Sequence, residues 1–252
     1  MRALLLAFAT LATLAAVHAN ARDAAPVPGY IISAVADPAR PEADRDRDAN
    51  RKPAETLVFA GVKPGQTVVD LLPGQGYFTR IFSAVVGPGG HVYAVVPPAR
   101  ANSPRDFAAM MQPVVEDAHY GNVTLSVQTL TGLSLPQAAD VIWTSQNYHD
   151  FHNIPDADVV AIDKAIFNAL KPGGTFIVLD HAAEPGSGAR DTSTLHRIDP
   201  ETVRKEVLAA GFKLVGESRI LRNPDDPHTA KVFDPAIRGR TDQFIFKFRK
   251  PR

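Results

Sequence analysis

The sequence predicts one α/β domain in which buried strands alternate with amphipathic helices and the order closes on an antiparallel pair. Three observations carry this. Val68-Val69-Asp70-Leu71-Leu72 is a short, largely apolar run between the turns Lys63-Pro64-Gly65 and Pro73-Gly74, which suits a parallel strand covered on both faces. Beyond the turn, Phe78, Ile81, Phe82, Val85 and Val86 fall at helical spacing. The same strand, turn and helix order recurs down the chain until Phe212–Val215 and Gln243–Phe248, two strands with only loop between them.

In chain order, Pro53–Val62 reads as a helix with Pro in its first turn and Gly61 as its stop. After the opening strand and helix, Gly87-Pro88-Gly89-Gly90 forces a turn, and His91–Val96 is a strand halted by Pro97-Pro98. Asp106–Ala118 fits a helix disturbed at Pro113, and Val123–Val127 a third strand. Asp140–Thr144 is a fourth, running into the polar and aromatic cluster Ser145-Gln146-Asn147-Tyr148-His149-Asp150-Phe151-His152. Asp158–Leu170 places Val159, Ile162, Ile166 and Leu170 on one helical face before Lys171-Pro172-Gly173-Gly174 ends it. Thr175–Leu179 is the fifth strand, delivering Asp180-His181 at its end. Asp199, Pro200 and Gly211 frame a helix over Pro200–Ala210 with the firmest capping signals in the chain.

The 252 residues are 45% hydrophobic, enough for one sizeable core. Basic and acidic residues balance at 27 each, so no overall field gathers nucleic acid or acidic membrane. Arg2 followed by the apolar run Ala3–Val17 and the small residues of Val17-His18-Ala19 and Ala19-Asn20-Ala21 reads as a signal peptide over residues 1–20. With no cysteine for disulfides or a lipid anchor, a periplasmic or secreted protein with no integral membrane anchor after cleavage is expected. Residues 21–52, rich in Pro, Ala, Asp and Arg, read as an extended, solvated N-terminal lead-in, with a lid over the site as the alternative, and residues 53–252 as the domain proper.

From about Pro53 to Arg249 the chain resembles the class I, Rossmann-like S-adenosylmethionine-dependent methyltransferases, and within them a group of exported bacterial proteins. The residues that carry the resemblance are Val68–Gly76, Gly90–Val95 and Leu170–Gly174, in that order and separation. It implies a mostly parallel seven-stranded sheet with a final antiparallel strand and helices on both faces, and it places Asp70, Gly74 and Gly76 beside the cofactor, S-adenosylmethionine. That ligand has no phosphate, so its turn needs bare backbone more than a phosphate cradle. Thr79, where a dinucleotide turn has a third glycine, argues against a nicotinamide cofactor. Two positions depart from the family pattern. Leu72 stands where a first glycine is usual, and Val96 where an acid usually holds the ribose, leaving Asn102 or Ser103 to supply hydrogen bonds.

In an open α/β sheet ligands lie over the carboxyl ends of the strands. Tyr77, Asn147 and Tyr148 are therefore read with Asp70, Gly74 and Gly76 as cofactor-binding. His149 and His181, with Asp180, are read as the catalytic groups, an imidazole being the base suited to neutral pH. His196, Arg197 and Arg222 are read as substrate-binding, as partners for a carboxylate or phosphate. The types in His149-x-x-His152 with Asp180 and His181 also suit a metal, but pairs at this spacing are common by chance, and none is assigned. The expected function is methyl transfer to a small-molecule acceptor. The alternative is a protein of this scaffold that binds or transforms another small ligand through its His/Asp/Arg-rich edge. A nucleic-acid substrate is excluded by the neutral charge, the export signal and the lack of an aromatic-proline tetrapeptide after the fourth strand.

Overall fold

The computed structural model describes residues 26–99 and 105–252. The expected signal peptide, and Asn102 and Ser103, lie outside the described residues. Seven strands, β1 (Thr67–Leu71), β2 (His91–Val96), β3 (Val123–Val127), β4 (Ala139–Ser145), β5 (Leu170–His181), β6 (Lys213–Ser218) and β7 (Gln243–Arg249), form one sheet in the order β3-β2-β1-β4-β5-β7-β6. The first five pair in parallel; β7 runs antiparallel to both β5 and β6. The expected fold class is the one observed.

Side chains alternate between two cores because successive strand residues face opposite sides of the sheet. Val68, Val92, Trp143 and Ile177 face α1 (Gly29–Val35), α4 (Pro53–Ala60), α5 (Tyr77–Val86) and α6 (Phe107–Val115). Val69, Val95, Ile142 and Phe176 face α7 (Val159–Ala169) and α8 (Pro200–Ala209). Asp106, Asp158 and Asp199 cap α6, α7 and α8 through their side chains. Pro113 sits inside α6 without ending it.

The N-terminal segment corrects the reading of an extended lead-in. Residues 29–51 form α1 and two single turns, α2 (Glu42–Arg45) and α3 (Asp48–Arg51), and Ile31 and Ala34 are buried in the first core. Its charges divide: Arg45, Asp46 and Arg47 stay exposed as expected, whereas Arg40 and Asp44 are buried. Arg40 is fully buried, forms a two-point pair with Asp48 (2.7 and 2.9 Å) and also donates to the Val35 carbonyl. Asp48 in turn accepts the Tyr77 hydroxyl (2.6 Å), while Asp44 pairs with Arg47 and Arg80. Pairing is what permits such burial: charges that read as solvent-loving by composition are neutralised by one another against α5.

Candidate active site

The turn after β1 is built from left-handed backbone. Leu72, Gly74 and Gly76 all have positive φ (54°, 62° and 82°). A Cβ on Gly74 would meet nothing within 4 Å, so its surface is open to a ligand. Gly76 differs: a Cβ there would lie 2.8 Å from Val114 Cγ2, so its bareness accommodates α6, and its sequence role as a ligand contact is corrected to packing. Leu72 takes the left-handed conformation without being glycine, and its side chain becomes cavity wall.

That cavity, about 280 Å³, lies over the ends of β1, β2 and β4 between Leu72, Pro97, Pro98, Phe107, Asn147 and Asp150. Val96 is fully buried and offers it nothing polar. Asn147 braces the wall: its amide donates to the Leu71 and Leu72 carbonyls (3.3 and 2.9 Å) and its oxygen accepts from Thr144. Asp70 lies beneath the turn, buried, accepting the Thr79 hydroxyl at 2.7 Å; burial raises its carboxyl to about 7 against the pull of Thr79 and Arg51. Tyr77 is held under the N-terminal segment, its ring beneath Arg47 and Arg51 (4.9 and 4.3 Å).

Of the residues read as catalytic, His149 and Asp180 are hydrogen-bonded directly to each other. Asp180, wholly buried at the end of β5, accepts the His149 amide (2.7 Å) and its Nδ1 (2.9 Å). Burial by itself would hold the His149 ring neutral, but Asp180 outweighs it and raises the imidazole above its ordinary value. His181 is a different case. It is buried with Nδ1 on Thr241 (2.7 Å), and burial, aided by the fields of His149, Arg197 and Arg51 against that of Asp180, drops it to about 3. Its expected role as a base is corrected, since so weakly basic a ring takes no proton near neutrality.

His196 reaches this pair because the loop after β5 doubles back, with Ile198 bonded to His181 and Ala183 to Ile198, so that His196 Nδ1 lies 3.3 Å from His149 Nε2. Its neighbour does the opposite. Arg197 is fully buried, pairs with Asp226 through both terminal nitrogens (2.8 and 3.1 Å) and caps the Ala182 and Ala230 carbonyls, so its substrate role is corrected to a loop anchor. Tyr148 is corrected likewise. It points into the second core, its hydroxyl donating to Asp163 (2.7 Å) beside Glu206, which also takes His152 Nε2 (3.1 Å). Arg222 pairs with Asp242 (2.9 Å) and lines a separate open cavity of about 450 Å³ with Lys52 and Asn223.

One group that sequence reasoning passed over is Arg51. It donates to Ser145 (3.2 Å) and Gln146 (2.9 Å) and lies over the Tyr77 and Phe78 rings, and among the described residues no carboxylate pairs with it. Burial lowers it to about 10, leaving it cationic at neutrality. With Arg47, Gln146, His181, Phe233 and Arg238 it lines a cavity of about 250 Å³. Asp150 was also passed over, although it stands inside the cluster that the sequence singled out.

No family model matches the chain. It is 30% identical over 152 residues to the ubiquinone/menaquinone biosynthesis C-methyltransferase UbiE of Vibrio cholerae, covering 56% of this chain and 52% of that one. It is 32% identical over 177 residues to the protein of the same name in Vibrio campbellii, covering 68% and 63%. The chain thus spans about half to two-thirds of the length of these curated relatives. Among solved structures, a SAM-dependent methyltransferase from Aquifex aeolicus superposes with a TM-score of 0.59 at 16% identity, over 82% of this chain and 95% of that one. The [4+2]-cyclase SpnF does so at 0.57 and 18%, over 83% and 81%. The chain has the fold of the Rossmann-like class I S-adenosylmethionine-dependent methyltransferases, and the sequence relatives it matches carry a C-methyltransferase name.

Proposed function

We propose that this protein transfers a methyl group from S-adenosylmethionine to a small-molecule acceptor. The observation that carries the reading is the open space over Gly74, two residues on from Leu72, which lines a cavity together with Asp150, next in the chain to the Asp180-held imidazole of His149. The lining suits a ligand with both apolar and polar parts: apolar walls from Leu72, Pro97, Pro98 and Phe107, and polar groups from Arg105, Asn147, Asp150 and Asn153. When bound there, the sulfonium supplies an electrophilic methyl group. Leu72 and Gly74 would shape the cofactor's seat and Asn147 would hold that turn to β4. His149, aligned by Asp180, would take the acceptor's proton. Arg51, with Arg47 and Arg238 on the same cavity, favours an acceptor bearing a carboxylate or phosphate.

Calorimetric titration with S-adenosylmethionine and S-adenosylhomocysteine tests this, with Leu72→Trp to fill the cavity and Gly74→Val to cover the turn. Saturable binding lost in folded variants supports the reading; no binding at millimolar ligand to the folded parent overturns it. The second reading, a protein of this scaffold that does not methylate, is favoured by Val96 at the ribose position and by the cyclase of similar fold. We also place the protein in the periplasm or outside the cell, on the strength of Arg2, the run Ala3–Val17 and the absence of cysteine. Fractionation of cells expressing the full chain checks that placement. No helix among the described residues is long and apolar enough to cross a membrane.

A further inference from the structure

We propose that His149, Asp150 and His196 form a site for a divalent transition-metal ion of the zinc class, placed to hold the acceptor's nucleophilic atom. The use by an acceptor rests on the methyl-transfer reading; the ion site itself does not. His149 Nε2 lies 3.3 Å from His196 Nδ1 and 3.6 Å from Asp150 Oδ1, and the last two atoms are 4.0 Å apart. Zinc bonds nitrogen and oxygen at about 2.0–2.2 Å, so ligands on one tetrahedron stand roughly 3.3–3.6 Å from each other. Two of the three edges already match, and the third closes with a small turn of the Asp150 carboxylate, whose side chain is 40% exposed.

Three further features point the same way. The Nδ1 of His149 is bonded to buried Asp180, the carboxylate–histidine arrangement that fixes which nitrogen faces a metal. His196 is held at φ 56° by the returning loop, which aims its Nδ1 inward at the cost of an uncommon backbone conformation. The cluster lies between the two cavities: Asp150 lines the one beside the turn, and Phe233, its ring 4.9 Å from that of His196, lines the one beside Arg51. Three protein ligands leave a fourth position for an exogenous atom. A hydroxyl or thiol bound there would lose its proton more easily, because the cation stabilises the anion, and the proton would pass to solvent: with Nε2 on the ion and Nδ1 on Asp180, the His149 ring would serve as ligand in place of base. His152, turned away to Glu206, takes no part.

The test uses the chelator-treated full chain and zinc alone, followed by calorimetry, with cobalt(II) as a spectroscopic probe of coordination. One ion per chain and the intense visible bands of a four-coordinate cobalt site are expected. His196→Asn, which keeps a residue tolerant of left-handed backbone, should abolish the tight site, and Asp180→Asn should weaken it about 10- to 100-fold. His152→Ala should leave it unchanged. Absence of saturable zinc binding, or binding indifferent to His196→Asn, would overturn the proposal and leave the 3.3 Å contact as a hydrogen bond between imidazoles. Titration with S-adenosylmethionine alongside separates the two readings, since His196→Asn should retain cofactor binding.

Discussion

Asp180 accepts both the backbone amide and the ring Nδ1 of His149, at 2.7 and 2.9 Å, so a single buried carboxylate fixes the position and the tautomer of an imidazole that it raises above its ordinary basicity. Asp180→Asn keeps the shape and removes the charge. Burial then acts on His149 against the remaining pull of Asp150 alone, and its titration midpoint, read by NMR of the ring, should fall. A midpoint that stays put would mean that Asp180 does not control the ring.

Asp70 makes stability depend on pH in a definite direction. Its carboxyl is raised to about 7 in the folded chain, well above its unfolded value, so between pH 4 and 7 the unfolded state releases a proton that the native state keeps. Stability contributed by this group is fully present at acid pH and is lost as pH rises through 7. Asp70→Asn should therefore gain on the parent as pH rises from 4 to 7, by roughly 4 kcal/mol at most. Urea unfolding at several pH values measures the gap; a constant difference would refute it.

The two turn glycines should behave differently on substitution. Gly74→Ala meets open space and should cost only the left-handed backbone preference, about 1–2 kcal/mol. Gly76→Ala adds a 2.8 Å clash with Val114 and should cost about 1–3 kcal/mol more. Val114→Ala in the same chain should restore part of the second loss and none of the first, as thermal unfolding would show.

The pairing of the N-terminal segment is structural. Asp48→Ala leaves Arg40 buried without its carboxylate and should destabilise the chain by about 3 kcal/mol, whereas Tyr77→Phe, which loses one hydrogen bond to the same carboxylate, should cost about 1 kcal/mol. Chemical denaturation of both variants decides it. Equal effects would show that Arg40 finds another partner.

Most of the architecture was legible in the sequence because it is written in local terms. Strand β3 and the caps Asp106, Asp158 and Asp199 follow from periodicity and side chains acting within one turn of themselves. So do the glycine turn and the order of the strands that deliver His149 and Asp180 to one edge. What the sequence could not rank was which polar residues of that edge point outward. Tyr148 and His149 are adjacent, as are His196 and Arg197, and in each pair one member turns into a core or an anchor while the other faces the site. Nor could composition tell that the Arg- and Asp-rich segment before Pro53 folds onto α5, because burying charge depends on partners far along the chain, such as Tyr77 and Arg80, that only the tertiary structure brings within reach. The sequence by itself determined the scaffold and the edge; the packing of residues distant in the chain decided which side chains are left there to act.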